Sequence, residues 1–198
     1  LPGDEAQGPL REGLGLVVTR GFRFLLEIAR QSVPDNYGNS YFWVKPDRIV
    51  PLHFVQEVDE RLDKEGKVLR ALDERRAVRL ARWFKKRKTQ SVAVCLLHSY
   101  ANPEHERAVR RVFEREHPEA FLSISSDVLP EYREYERAMT TCMDAALKPH
   151  IKHYVDQGER RVRHLLGNTP FLVMKSNGGV IGARAPRPSS RAFPSRSR

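Results

Sequence analysis

The chain has 198 residues, 40% of them hydrophobic and 30% charged, a length that holds one large or two small domains and can bury a core. No run approaches the roughly 18 apolar residues of a membrane span, so a membrane location is not expected. The net charge of +10 is uneven: residues 182–198 hold five Arg and no acid, and without them 30 basic residues face 25 acidic ones, too small an excess to make nucleic acid the expected partner.

Leu1-Pro2-Gly3-Asp4-Glu5 has neither the basic nor the apolar region of a signal peptide, and no initiator Met. The chain is therefore expected to start inside a longer protein and to reside in the cytoplasm. Cys95 and Cys142 stand far apart with no CxxC neighbour, and both read as buried free thiols.

In chain order, Leu14-Gly15-Leu16-Val17-Val18 predicts a buried strand, followed by a helix over 20–31 that Thr19 can cap. Residues 32–46 form a loop rich in Asn, Gly, Pro and aromatics. Residues 48–59 have strand character and can pair with Lys67-Val68-Leu69 across Asp63-Lys64-Glu65-Gly66, where Gly66 supplies a positive φ. Residues 73–88 predict an amphipathic helix with Ala77, Leu80, Ala81 and Phe84 on one face, acids at its start and bases at its end.

A buried strand over 91–97 leads to a helix that starts at Asn102-Pro103 and ends near 116. Another strand covers 121–125. A helix from about 132 to 147 is broken or restarted by Pro149 and resumes to about 166. A last buried strand, 171–175, ends in Ser176-Asn177-Gly178-Gly179. The alternation of helices and strands predicts an α/β fold, a mainly parallel sheet with flanking helices, plus the β-hairpin. Residues 182–198, almost all Arg, Pro, Ala and Ser, read as a disordered tail and as a truncated or out-of-frame end.

Three places carry candidate chemistry. His98 follows a buried strand in Leu97-His98-Ser99-Tyr100-Ala101-Asn102-Pro103, where a polar loop can align a substrate or simply cap a helix. Glu131, Glu134 and Glu136 lie among Arg133 and Arg137, a crowding that suits acid–base work and equally a salt-bridged first helical turn. Ser176, Asn177, Gly178 and Gly179 offer backbone N–H groups to a ligand, or a tight turn. Gly13-Leu14-Gly15 precedes its strand and is no dinucleotide fingerprint. Arg82-Trp83-Phe84-Lys85-Lys86-Arg87-Lys88 could meet phosphates with Trp83 stacked on a base, but also suits the solvated end of a helix. No CxxC or HxxxH metal pair, GxSxG elbow or GxxxxGK[ST] loop is present.

Together these segments resemble the hydantoinase A/5-oxoprolinase family, which includes N-methylhydantoinase A subunits and acetone carboxylase β subunits. The matching pieces are Thr19-Arg20-Gly21-Phe22, Leu26-Glu27-Ile28-Ala29-Arg30-Gln31, Glu57-Val58-Asp59-Glu60-Arg61, the stretch 92–103, the stretch 129–137, Thr140-Thr141, Lys148-Pro149 and Ser176–Gly179. The resemblance implies part of an actin/sugar-kinase/Hsp70-like ATPase fold, and a fragment of an ATP-dependent amidohydrolase that opens hydantoin, N-methylhydantoin or 5-oxoproline. It implies ATP with Mg or Mn in the intact enzyme, a small cyclic amide as substrate and a B-type partner subunit. Glu134 and His98 are the expected catalytic residues and Ser176, Asn177, Gly178 and Gly179 the expected substrate contacts, with no metal ligand assigned.

The family's Asp-x-Gly-Gly-Thr phosphate loop and its Ser-Gly-Pro-Ala-Gly-Gly loop are not in this sequence. The chain alone is therefore expected to be inactive and to bind ATP poorly, and the alternative is a non-catalytic remnant or interaction module that keeps the fold without activity. The expected divisions are 1–72, 73–128, 129–181 and 182–198.

Overall fold

The computed structural model describes residues 13–30, 48–167, 169–174 and 179–182. The aromatic loop, Ser176, Asn177, Gly178 and the tail beyond Gly182 lie outside these. The elements in chain order are β1 (Leu14–Thr19), α1 (Leu25–Ile28), β2 (Val55–Val58), β3 (Arg61–Leu62), β4 (Val68–Arg70), α2 (Glu74–Lys86), β5 (Ser91–Cys95), α3 (Glu104–Glu116), β6 (Phe121–Ile124), α4 (Ser125–Val128), α5 (Glu134–Leu166), β7 (Leu172–Met174) and β8 (Val180–Gly182). Two compact units divide the chain, Leu1–Pro149 and His150–Arg198.

In the first unit, four strands form a wholly parallel sheet in the order β2-β1-β5-β6. The period of two along β1 and β5 sends alternate side chains to opposite faces. On one face Val17, Val92, Val94 and Leu96 pack beneath Ala77, Leu80, Ala81 and Phe84 of α2 and Val109, Val112 and Phe113 of α3. On the other, Leu14, Leu16, Val18, Ala93 and Cys95 meet Ala138, Cys142, Ala145 and Ala146 of α5, with Phe22, Leu25 and Leu26 beside them. The small residues at 138, 142, 145 and 146 let α5 approach the sheet closely. Gly15 has a packing role: a Cβ there would sit 2.2 Å from Phe84 Cε1.

Several expectations change in detail. Of residues 48–59 only Val55–Val58 is strand, because Pro51 leads into a 3-10 turn at Leu52–Phe54. That strand joins β1 in parallel. The expected hairpin is made instead by β3 and β4 around the expected turn, with Gly66 at φ +84° and the Asp63 amide donating to the Lys67 carbonyl at 3.0 Å. The helix expected over 20–31 is only α1, ended by Ala29 at φ +52°. Thr19 does not cap it. Pro149 lies inside α5. A proline cannot donate to the carbonyl of Ala145, but its fixed φ is itself helical, so the helix resumes directly.

In the second unit β7 and β8 form an antiparallel hairpin of their own. The strand expected to be buried is largely exposed, Leu172 by 59% and Met174 by 74%. Phe171 packs on Gly158, where a Cβ would come within 2.9 Å of the ring.

Candidate functional site at the carboxyl edge of the sheet

The first-unit strands end on one edge, where parallel α/β sheets place their ligands. Two segments meet there. Glu57 accepts from the amides of Gly21 at 2.8 Å and Arg23 at 3.2 Å, and Asp59 pairs with Arg20 at 2.9 Å. Glu60, buried, accepts from the Thr19 hydroxyl on one oxygen and bonds His105 Nδ1 at 2.7 Å on the other. Gly21 turns at φ +93°, which glycine allows without strain. The Arg20 guanidinium holds the Asp59 carboxyl below its ordinary range.

The end of β5 is clamped from three sides. Glu106, fully buried on α3, accepts from the Leu96 amide at 2.8 Å, the Ser125 hydroxyl at 2.6 Å and the Ser126 amide at 2.8 Å. Thr19 Oγ1 accepts from the Leu97 amide at 2.8 Å. Arg137, also fully buried, donates to the Leu96 carbonyl at 2.6 Å, and its Nε has no partner among the described residues. Sequence reasoning missed this frame. Its one visible signal was Glu106, a lone acid on the helix face of Val109 and Phe113.

His98 follows the clamp at φ +57°, half buried, with Nδ1 3.3 Å from Tyr100 Oη. Glu134 opens α5 and walls a small half-open pocket with Arg137, Thr19, Cys95 and Leu97, which Phe22 and Leu25 close. Within 131–137 the charges are shared out: the Arg133 charge acts on Glu136, but among the described residues no ion pair joins Glu131 or Glu134 to Arg133 or Arg137. Glu136 pairs with Arg30 at 2.6 Å, while Arg137 turns to backbone carbonyls, Leu96 and, at 3.4 Å, Glu131. Burial pushes the Cys95 thiol up to about 11, which leaves it protonated and inert at neutral pH. Gly179 precedes β8 in the second unit, and its loop partners lie outside the described residues. Arg87 covers the Trp83 ring at 3.7 Å while Phe54 and Phe84 meet it edge-on, so Trp83 is engaged within the protein.

Among the described residues no group of three or more His, Cys, Asp or Glu could hold a metal ion, and no helix is long and apolar enough to cross a membrane.

Comparison with known proteins adds to this geometry. The profile of the hydantoinase/oxoprolinase N-terminal region matches residues 5–117, and the hydantoinase/oxoprolinase profile matches residues 137–192. The chain belongs to the hydantoinase/oxoprolinase family. An uncharacterized protein of Methanocaldococcus jannaschii is 32% identical over 91% of this chain and 26% of its own length. Caprolactamase subunit alpha of Pseudomonas jessenii is 27% identical over 84% of this chain and 24% of its own. Of solved structures, that ATP-dependent caprolactamase superposes with a TM-score of 0.77 at 27% identity, over 85% of this chain and 24% of the other. Nucleotide-free acetone carboxylase superposes with a TM-score of 0.72 at 27% identity, over 87% and 26%. The fold of this family member is the parallel, helix-flanked sheet of actin-like ATPases. The chain spans about a quarter of the length of these relatives.

Proposed function

We propose that this chain is part of an ATP-dependent amidohydrolase that opens a cyclic amide of the hydantoin, N-methylhydantoin or 5-oxoproline class. The observation that carries the reading is family membership across both profiles, on a sheet shared with ATP-dependent enzymes. In such an enzyme ATP supplies activation of an amide or carboxylate oxygen, with Mg or Mn neutralising the phosphates. The described residues do not fit that group. Glu60 and Glu106 are committed to internal donors, no metal cluster is present among them, and neither phosphate loop is in the sequence. The first unit's part is to build and stiffen one edge of a site, with Glu134 and His98 facing the chemistry; the role we assign to Ser176, Asn177, Gly178 and Gly179, contact with substrate, rests on the family resemblance alone.

The relative named as a subunit supports a B-type partner for the whole enzyme. Two free buried thiols and the need for ATP suit the cytoplasm. The match from residue 137 supports a main domain that starts near 129. A non-catalytic module is the second reading, favoured by how completely the buried acids are bonded inside the protein.

The test has two arms. The 198-residue chain should show no Mg·ATP heat in calorimetry and no turnover. A gene product that joins this segment to both phosphate loops should release ADP while opening hydantoin, N-methylhydantoin or 5-oxoproline. Micromolar Mg·ATP binding by the short chain contradicts the first arm. Absence of ring opening in the longer product contradicts the second and favours the non-catalytic module.

A further inference from the structure

His98 is a non-glycine residue in the left-handed region, at φ +57°. Such backbone persists only where the surroundings over-determine it, and it clusters at functional sites. Here the cause is visible. The two preceding residues are fixed by Glu106, Arg137 and Thr19 from three different elements. The His98 carbonyl is fixed in turn by the amides of Ala101 at 3.0 Å and Asn102 at 3.3 Å. The backbone therefore sets where the imidazole stands.

A second observation concerns the ring. Tyr100 meets it edge-on, centroids 5.9 Å apart, with Oη 3.3 Å from Nδ1. The Arg137 guanidinium lies 5.4 Å from the centre of the Tyr100 ring. A cation beside the ring draws electron density from the phenol and makes its O–H a stronger donor. A phenol is a better donor than acceptor, and an unprotonated imidazole nitrogen is a good acceptor. The bond made at one ring nitrogen decides which nitrogen carries the proton. With Tyr100 as the donor to Nδ1, the imidazole proton would sit on Nε2. Among the described residues nothing bonds Nε2.

We propose that His98 is locked as the Nε2–H tautomer and presents that N–H as a hydrogen-bond donor to a carbonyl-type oxygen of a ligand, with Tyr100 and Arg137 as its positioning residues. As that tautomer His98 polarises an oxygen and does not act as a base through Nε2. The identity of the oxygen, an amide carbonyl, rests on the ring-opening reading above; the tautomer does not.

The test is a two-bond proton–nitrogen correlation spectrum of the imidazoles in the ¹⁵N-labelled 198-residue chain, at a pH where histidines are neutral. His98 should show a fully unprotonated Nδ1 and a fully protonated Nε2, while exposed His53 and His164 show averaged shifts. In Tyr100→Phe the His98 signals should move toward those averaged positions. A protonated Nδ1 in the native chain, averaged native signals, or an unchanged spectrum in Tyr100→Phe would overturn the proposal. If Tyr100→Phe does not fold, the native spectrum alone decides. Failure of ring opening with the tautomer intact would remove only the ligand assignment.

Discussion

The carboxyl edge of the parallel sheet and the β7–β8 hairpin are both strand ends of this chain, yet they are held in opposite ways. At the edge, Glu106 takes three donors and Glu60 bonds two partners, four of these five bonds buried and the Ser126 amide's half-buried. In the hairpin, Leu172, Met174 and Val180 are each more than half exposed and the ladder is two strands wide. A pair of strands alone is marginal in water, whereas a buried, hydrogen-bonded edge is stabilised by the whole core. The first unit thus carries its own stability, while the described hairpin residues leave most of their apolar surface uncovered.

The largest effect should come from Glu106→Ala. It strands the Leu96 and Ser126 amides without an acceptor, while the Ser125 hydroxyl can turn to Ser99 Oγ 3.0 Å away; at about 1–3 kcal/mol for each unsatisfied amide, a loss of about 3 kcal/mol in urea unfolding is expected. A loss under about 1 kcal/mol would mean that the clamp contributes nothing special. Next comes Gly15→Ala, whose Cβ would strike the Phe84 ring. Overpacking of this kind costs about 1–3 kcal/mol, and Phe84→Leu in the same chain should recover part of it in a double-mutant cycle. Leu172→Ser should change stability by no more than about 0.5 kcal/mol, as exposed positions do, and a larger loss would show that the hairpin face is covered.

The smallest effect is acid sensitivity from surface pairs. Asp59 beside Arg20, Glu116 beside Arg82 and Asp156 beside Lys152 are all held below the ordinary carboxylate range by those cations. A group depressed in the fold contributes its stability above the unfolded value, and loses it as pH falls through the folded one. Unfolding midpoints followed by circular dichroism should therefore be flat from neutrality down to the carboxylate range and fall below it, modestly because the pairs are exposed. A midpoint that rises on acidification would contradict the assignment.

Much of the first unit was legible in the sequence. The faces of α2 and α3 follow from Ala77, Leu80, Ala81, Phe84, Val109, Val112 and Phe113, because helical periodicity reports burial directly. The turn at Gly66 was legible from its residue type. Thr19 was not. A threonine before an apolar helical pattern looks like a cap, and only the pairing of β1 with β2 brings Glu60 to its hydroxyl. The strand over 171–175 looked buried because hydrophobicity says nothing about which neighbours arrive to cover it. His98 and Glu134 stood out as polar residues at element junctions, but the buried frame around them joins residues up to 78 positions apart and has no local signature.

Native-state hydrogen exchange tests the contrast between the two regions most directly. The amides of Leu96 and Leu97, bonded to Glu106 and Thr19, should exchange only through global unfolding, while those of β7 and β8 exchange through local opening at much lower free energy. Equal protection in the two regions, or rapid exchange at Leu96 and Leu97, would contradict the picture of a stiff site edge beside a weakly held hairpin.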